Sequence, residues 1–355
     1  MIVHRHVRTH LLPFLFLASL LMVACGESIE EGTRPAPPPL KEKEWKSLVD
    51  GKAVLERTRR ICALGPRTPG SKGAKAVRAE IEKQLRQAGF EWSQLKRQSF
   101  TAKTPDPDAT PDPNDKTDAT FENETRFVNL IAILPGKRKE GIAIAAHYDS
   151  KIMDEPFVGA NDAASAVAGV IEVAAGLARE AKDQPRENSI YFIFFDGEES
   201  FRDQWQDPDN RYGSRHFAEE MKTKGDAFEF PITGLILLDM IGSRNIVLAD
   251  DGNSDPALRQ IFKQRALELF GVPLFRKPPG DVIVDDHVSF KGTPVRVIDL
   301  IDVHFTPTSY DDENYKEPWW HTRNDTLEIL DARSLEKVLT LVLTALPEVE
   351  ELCNR

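Results

Sequence analysis

The sequence predicts an α/β fold: a single globular domain with a mainly parallel, mixed central sheet covered by helices on both faces. Two observations predict it. Apolar, β-rich runs at 127–134, 142–146, 190–195, 235–240 and 295–301 are near-continuous, as strands buried on both faces are. Helical patterns lie between them, so strand and helix alternate along the chain, the pattern of a sheet with crossover helices.

The elements follow in order. Helical signals start near Trp45. Val77, Ile81, Leu85 and Ala88 recur at helical spacing after the turn-forming Gly65-Pro66-Arg67-Thr68-Pro69-Gly70. Residues 105–124 hold Pro, Asp, Asn and Thr with almost nothing apolar to bury, and read as an acidic surface insertion. Beyond it helices are predicted over 163–179, 216–222 and 257–269. A last helix over 334–349 puts Leu335, Val338, Leu339, Val342 and Leu346 on one face. No internal repeat is evident.

The N-terminal region has a different composition. Arg5 and Arg8 precede an apolar run from Leu11 to Ala24, too short to span a bilayer comfortably, so residues 1–24 read as an export signal peptide. Leu21-Met22-Val23-Ala24-Cys25-Gly26 resembles the lipobox of bacterial lipoproteins, in which the cysteine is lipidated and becomes the mature N-terminus. Met22 is uncommon at its place there, and cleavage near Ala24 with a soluble product is the alternative. Either way an exported chain is expected, periplasmic or outer-membrane-associated, otherwise secreted. Residues 25–45, with Arg34-Pro35-Ala36-Pro37-Pro38-Pro39, cannot form a packed core and read as a lipid-anchored or free tether. That leaves 46–355 as the folded domain.

Charge and cysteine content narrow the function classes. The 57 Asp and Glu outnumber the 46 Lys and Arg, for a formal net charge of -11. No basic stripe with interleaved aromatics follows the N-terminus, which argues against nucleic acid. Contact with a membrane is expected only through a lipid on Cys25. After Cys25 only Cys62 and Cys353 remain, too few for a disulfide framework and away from metal-ligand residues. Whether they pair is open.

Polar residues cluster at the C-terminal ends of the predicted strands, where open α/β sheets bind their ligands. The strand at 142–146 runs into His147-Tyr148-Asp149-Ser150, and Gly159-Ala160-Asn161-Asp162 precedes a helix. The strand at 190–195 ends in Asp196-Gly197-Glu198-Glu199, and that at 235–238 in Asp239. Downstream stand Asp285-Asp286-His287 and Trp319-Trp320-His321-Thr322. Imidazole and carboxylate without thiolate suit zinc. Asp196 reads as structural, a loop-amide acceptor, while the others have a plainer reading alone: Asp162 as a helix N-cap, Glu198 and Glu199 as a solvated pair, His321 as a surface histidine. The joint pattern in one sheet outweighs these. Of two adjacent glutamates, one can hold metal while the other carries a proton.

The order HYDSK (147–151), GANDAAS (159–165), FFDGEES (194–200), YGSRH (212–216), LLDMIG (237–242), DDHVSF (285–290) and WWHT (319–322) resembles the M28 zinc exopeptidase family, and most closely its glutaminyl cyclase branch. The resemblance runs from about Arg60 to the C-terminus, apart from the insertion. It implies a zinc exopeptidase-like fold and a zinc-dependent catalytic domain acting on N-terminal glutamine of peptides or proteins. By position, Asp162, Glu199 and His321 match the zinc ligands, leaving an open coordination place. Glu198 matches the general base and acid, Asp285 and Asp239 the carboxylates of the proton network, and Trp205 and Trp320 the aromatics of the glutamine pocket. Trp205 lies one residue further from Glu199 than in the family pattern.

A two-zinc aminopeptidase on the same fold is the rival reading. It would take His147, Asp162, Glu199, Asp239 and His321 as ligands, and all five are present. Asp285 and the block from FDGEES to YGSRH favour the cyclase, with one zinc per chain, because an extra carboxylate near Asp239 draws it into a shared-proton network. Departures from the cyclase pattern are Asp299, where animal cyclases show a histidine, a long acidic loop over 304–318, and Ala146 at the place of one of their cysteines. A non-catalytic, surface-tethered binding protein that kept the fold is the third class, disfavoured because Glu198 and the ligands are intact. A monomer is expected.

Overall fold

The computed structural model describes residues 49–106, 123–182, 185–303 and 319–355. The export signal, the tether, Trp45, nearly all of the acidic insertion and the loop over 304–318 lie outside the described residues. The elements are α1 (Gly51–Cys62), α2 (Lys72–Gln87), β1 (Leu95–Thr104), β2 (Asn123–Leu134), β3 (Arg138–His147), α3 (Ala166–Glu180), β4 (Asn188–Phe195), α4 (Tyr212–Lys224), β5 (Ile232–Asp239), β6 (Leu248–Ala249), α5 (Pro256–Phe270), β7 (Phe275–Arg276), β8 (Arg296–Ile301) and α6 (Ala332–Cys353). Six strands form the main sheet in the order β1-β2-β4-β3-β5-β8. Strands β4, β3, β5 and β8 are parallel, while β2 joins β4, and β1 joins β2, antiparallel. The predicted mixed sheet is therefore present, with its antiparallel part at one edge.

The alternation of side chains along each strand divides the core in two. Ile142, Ile144, Phe192, Phe194, Ile236, Leu238 and Leu300 face α1, α2, α3, α5 and α6. Ala143, Ala145, Tyr191, Ile193, Leu235, Leu237 and Val297 face α4 and an aromatic cluster of Phe217, Phe228, Phe230 and Phe290. Both faces are covered, which is why these strands read as unbroken apolar runs. The predicted face of the last helix, with Leu335, Val338, Leu339, Val342 and Leu346, is fully buried. Each such leucine or valine contributes about 1.5–3 kcal/mol by leaving water.

Local chemistry sets the element ends. Asp50, Asp255 and Asp331 cap α1, α5 and α6 by accepting backbone N–H groups of the first turn, and Pro256 occupies the first helical position of α5. Two expectations need correction. Strand β1 was not predicted, because its alternating exposed positions leave too few apolar residues to register. Helix α3 begins at Ala166 rather than Ala163, and residues 160–165 form a wide turn in which Asp162 and Ala163 are non-helical. Asp162 is therefore no helix cap. Strands β1 and β2 pair from Leu95 with Ala132 to Thr104 with Asn123, so the insertion joins the ends of an antiparallel pair, and Asn123 and Glu124 belong to β2.

Cys62 and Cys353 are both free thiols, which answers the open question of their pairing. Among the described residues, no helix is long and apolar enough to cross a membrane.

Candidate active site

The parallel strands β4, β3 and β5 are adjacent, so their C-terminal ends form one rim. His147 is the last residue of β3 and Asp239 the last of β5, while Glu198 and Glu199 follow β4. The wide turn after β3 adds Asp162. Gly159 makes that turn feasible: its φ is +47°, and a Cβ there would fall 1.7 Å from the Asp162 carbonyl oxygen. His321 arrives from far along the chain, with a left-handed backbone (φ 49°), a conformation uncommon for a non-glycine residue.

These side chains meet in two groups that share Asp162. One ligand atom each from Asp162, Glu199 and His321 lies within 4.8 Å of the others, and the same holds for His147, Asp162 and Asp239. His321 Nε2 is 3.1 Å from Glu199 Oε1 and 3.5 Å from Asp162 Oδ2. His147 Nε2 is 3.1 Å from Asp162 Oδ1 and 3.5 Å from Asp239 Oδ1. All are buried except His321, which is partly exposed. Glu198 and Glu199 are 7% and 2% exposed, which rules out a solvated pair, and His321 is no isolated surface residue.

The electrostatics favour a cation here. Burial works against a charged His321 ring, yet the charge of Glu199 and the bonds to Asp162 outweigh it and push the ring up to about 10. At Asp162, burial raises the carboxyl, but the neighbouring His147 and His321 rings overcome this and hold it below the usual range. Burial raises Asp239 to about 8 against the pull of the neighbouring His147 ring, with the charges of Asp162 and Asp285 adding to the rise. His147 Nε2, Glu199 Oε2 and Asp239 Oδ1 are buried with no hydrogen-bond partner. Orphaned buried donors and acceptors of this kind fit a metal ion, which takes their lone pairs. Glu198 is held well above the carboxylate range by burial, opposed by His147 and reinforced by Asp285 and Glu199.

Above the group opens a cavity of about 550 Å³. Its walls include Glu198, Asp239, Asp285, Trp205, Trp320 and His321, so the predicted catalytic and substrate-binding residues border one space. Trp320 stacks on His321 with ring centroids 4.0 Å apart, and Arg211 lies 5.8 Å from the Trp205 ring.

Several supporting residues escaped sequence reasoning. Asp149 accepts the backbone N–H of Glu198 and of Glu199, both at 3.1 Å, one on each carboxylate oxygen. Asp325 accepts from Asn161 N at 2.7 Å and Asp162 N at 3.1 Å. Arg67, read only as part of a turn, is wholly buried and donates to the carbonyls of Tyr148 (2.9 Å) and Gly159 (3.2 Å). Asp196 has the structural role expected of it, accepting from Val128 N at 2.8 Å. No sequence pattern separates Asp149 or Asp325 from other acids; only the fold buries them.

The family model for peptidase family M28 matches residues 129–346. The chain belongs to peptidase family M28. Within the family it stands with the glutaminyl cyclases. The glutaminyl-peptide cyclotransferase-like protein of Bos taurus is 30% identical over 304 residues, which span 78% of this chain and 71% of that protein. The glutaminyl-peptide cyclotransferase of Gloydius blomhoffii is 29% identical over 314 residues, 77% of this chain and 74% of that one. The crystal structure of an Acidobacteriales bacterium glutaminyl cyclase superposes with a TM-score of 0.70 at 28% identity, covering 85% of this chain and 95% of that one. A leucine aminopeptidase precursor from Bacteroides thetaiotaomicron shares the fold, with a TM-score of 0.63 at 24% identity over 84% of this chain and 96% of that one.

Proposed function

We propose that this M28 chain is a zinc-dependent glutaminyl-peptide cyclotransferase, converting the N-terminal glutamine of peptides or proteins to pyroglutamate with release of ammonia. One observation carries the reading: a buried glutamate, Glu198, borders a tryptophan-walled cavity beside the Asp162, Glu199 and His321 group. The relatedness to glutaminyl-peptide cyclotransferases supports it.

Asp162, Glu199 and His321 are the residues that would hold zinc, which when bound supplies Lewis acidity toward the γ-carboxamide oxygen. The rest is work for the chain. Trp205 and Trp320 confine the glutamine side chain, so the α-amine is held against the carbonyl carbon of its own γ-carboxamide, where proximity supplies much of the rate. A bond forms from the amine nitrogen to that carbon, and the bond from carbon to the amide nitrogen breaks. Glu198 takes the proton that the amine must lose and delivers it to the departing ammonia. Its raised proton affinity suits a group that must both accept and donate near neutral pH. Asp239 and Asp285, which border the same cavity, are the carboxylates of the proton network around Glu198.

Mixing the purified chain with a glutamine-led peptide tests this. Ammonia release with an otherwise intact peptide is expected, abolished by a chelator and restored by zinc. Glu198→Gln is expected to lower kcat by about 10²–10⁴-fold. An unchanged rate after thorough chelation overturns the reading.

A second reading has a specific observation in its favour: His147 and Asp239 lie within ligand reach of Asp162, as a two-zinc aminopeptidase requires. Two tightly held zinc ions on these ligands, with amino-acid release in place of ammonia release, would select it.

We further propose export with lipid attachment at Cys25 and a monomeric enzyme. Labelled palmitate incorporated by the wild-type chain and lost in Cys25→Ser tests the first, and sedimentation the second.

A further inference from the structure

His321 borders a second hollow as well as the tryptophan-walled cavity. This hollow, of about 800 Å³, lies between two stretches of chain: residues 152–157, which follow β3, and residues 201–203, which follow the Glu198–Glu199 turn. Apart from His321, no residue given a part in the proposed reaction lines it.

The walls of this hollow are tied together. Lys151, which precedes Ile152, is buried and donates to the carbonyls of Ser200 and Arg202 and to the Ser200 hydroxyl, so the first stretch is fastened to the second. Asp209 in turn accepts the backbone N–H of Phe201 at 3.1 Å and of Arg202 at 3.0 Å. A hollow held in this way exists before its occupant arrives, which reduces the ordering that binding otherwise requires.

Its lining has two parts. Phe157 and Phe201 are buried and Ile152 is half-buried, so the floor is apolar. Asp154, Glu155 and Asp203 are exposed around it, and among the described residues none of the three is in an ion pair. Arg323 is the one lysine or arginine among the described lining residues, and the Lys151 charge is turned inward, so carboxylates outnumber cations. An apolar floor edged with carboxylates fits a side chain that is aliphatic along its length and cationic at its end. Lysine and arginine have that form: the stem lies on apolar surface and the charge reaches the edge.

We infer that this hollow receives the residues that follow glutamine in the substrate peptide, and favours lysine or arginine among them. The inference rests on the proposed reaction, which seats the glutamine side chain between Trp205 and Trp320, and adds which peptides are bound best. The chain beyond the glutamine has to leave that cavity over its edge, and His321 is an edge that the two hollows share. An aspartate or glutamate placed there meets like charge, which selects against acidic peptides.

Peptide binding to the zinc-loaded Glu198→Gln chain, in which turnover is slow, tests it. The probes are amidated peptides Gln-X-X-Ala in which X is lysine, alanine or glutamate, measured by calorimetry. The lysine form is expected to bind about 5-fold more tightly than the alanine form, the size set by exposed ion pairs, and the glutamate form more weakly than either. The gap is expected to shrink in high salt. It is expected to close when Asp154→Asn, Glu155→Gln and Asp203→Asn are combined, three exposed positions at which the fold tolerates change. Equal affinities, no binding of any form, or an order that survives the triple substitution overturns the inference. Ammonia release by the wild-type chain separates this from the reaction itself. Release together with equal affinities sinks the groove alone, whereas a lysine preference without release supports the groove and sinks the proposed reaction.

Discussion

Asp149 holds Glu199 by its main chain: one carboxylate oxygen accepts the Glu199 N–H at 3.1 Å, while the other accepts that of Glu198 at the same distance. The two glutamates therefore emerge from a turn pinned at consecutive amides, which sends their side chains in different directions. Asp149→Asn replaces one acceptor oxygen with an amide that cannot accept, so one glutamate loses its anchor. We expect kcat/KM for a glutamine-led peptide to fall about 10–100-fold, as when an outer partner of a ligand is lost. An unchanged value would mean that the turn is held elsewhere.

Asp325 plays the corresponding part for Asp162, through the backbone N–H groups of Asn161 and Asp162. Asp325→Ala removes both acceptors in a buried setting. Zinc affinity, followed by competition with a chelator, is expected to drop about 10–100-fold. Equal affinity in the variant would deny Asp325 a positioning role.

Asp196 gives a pH prediction away from the metal ligands. Burial, with the charge of Asp149 adding, raises its carboxyl to about 7. The folded state thus binds this proton more tightly than the unfolded chain does. The stabilisation is fully present below the ordinary aspartate value near 3.8 and is lost as pH rises through about 7. Asp196→Asn keeps an acceptor for Val128 N but removes the charge. Its Tm relative to wild type is expected to be higher at pH 8 than at pH 5, and a pH-independent difference would contradict this.

Burial also pushes the Cys62 and Cys353 thiols up to about 11 each. At pH 8 little of either is thiolate, the reactive form. Peptide mapping after iodoacetamide treatment should find both slow to alkylate in the folded chain and fast once it is unfolded. Rapid labelling of Cys62 without denaturant would disagree with its buried position.

The sequence showed the sheet more clearly than it showed the site's supports. Strands β3, β4, β5 and β8 were legible because both faces are covered, so nearly every position is apolar. Strand β1 was not, since Lys96, Arg97 and Lys103 lie among its residues and it pairs on one side only. The start of α3 was misread because Ala163 and Ala164 continue the apolar helical pattern through a turn that Gly159 and Asp325 impose from outside it. Candidate ligands stood out as a set at strand ends. Their supports did not, because Asp149 and Asp325 are two acids among 57 Asp and Glu, told apart only by burial.

His321 and Asp325 lie on one short stretch, yet Asp325 reaches back across 163 positions to the Asp162 amide. A chain emerging from the ribosome therefore cannot finish this pocket until that stretch has been synthesised and has folded back over the strands already made. Grafting the segment between relatives would likewise have to move the histidine and the aspartate as a pair, since the aspartate seats the Asp162 turn whose carboxylate the histidine meets.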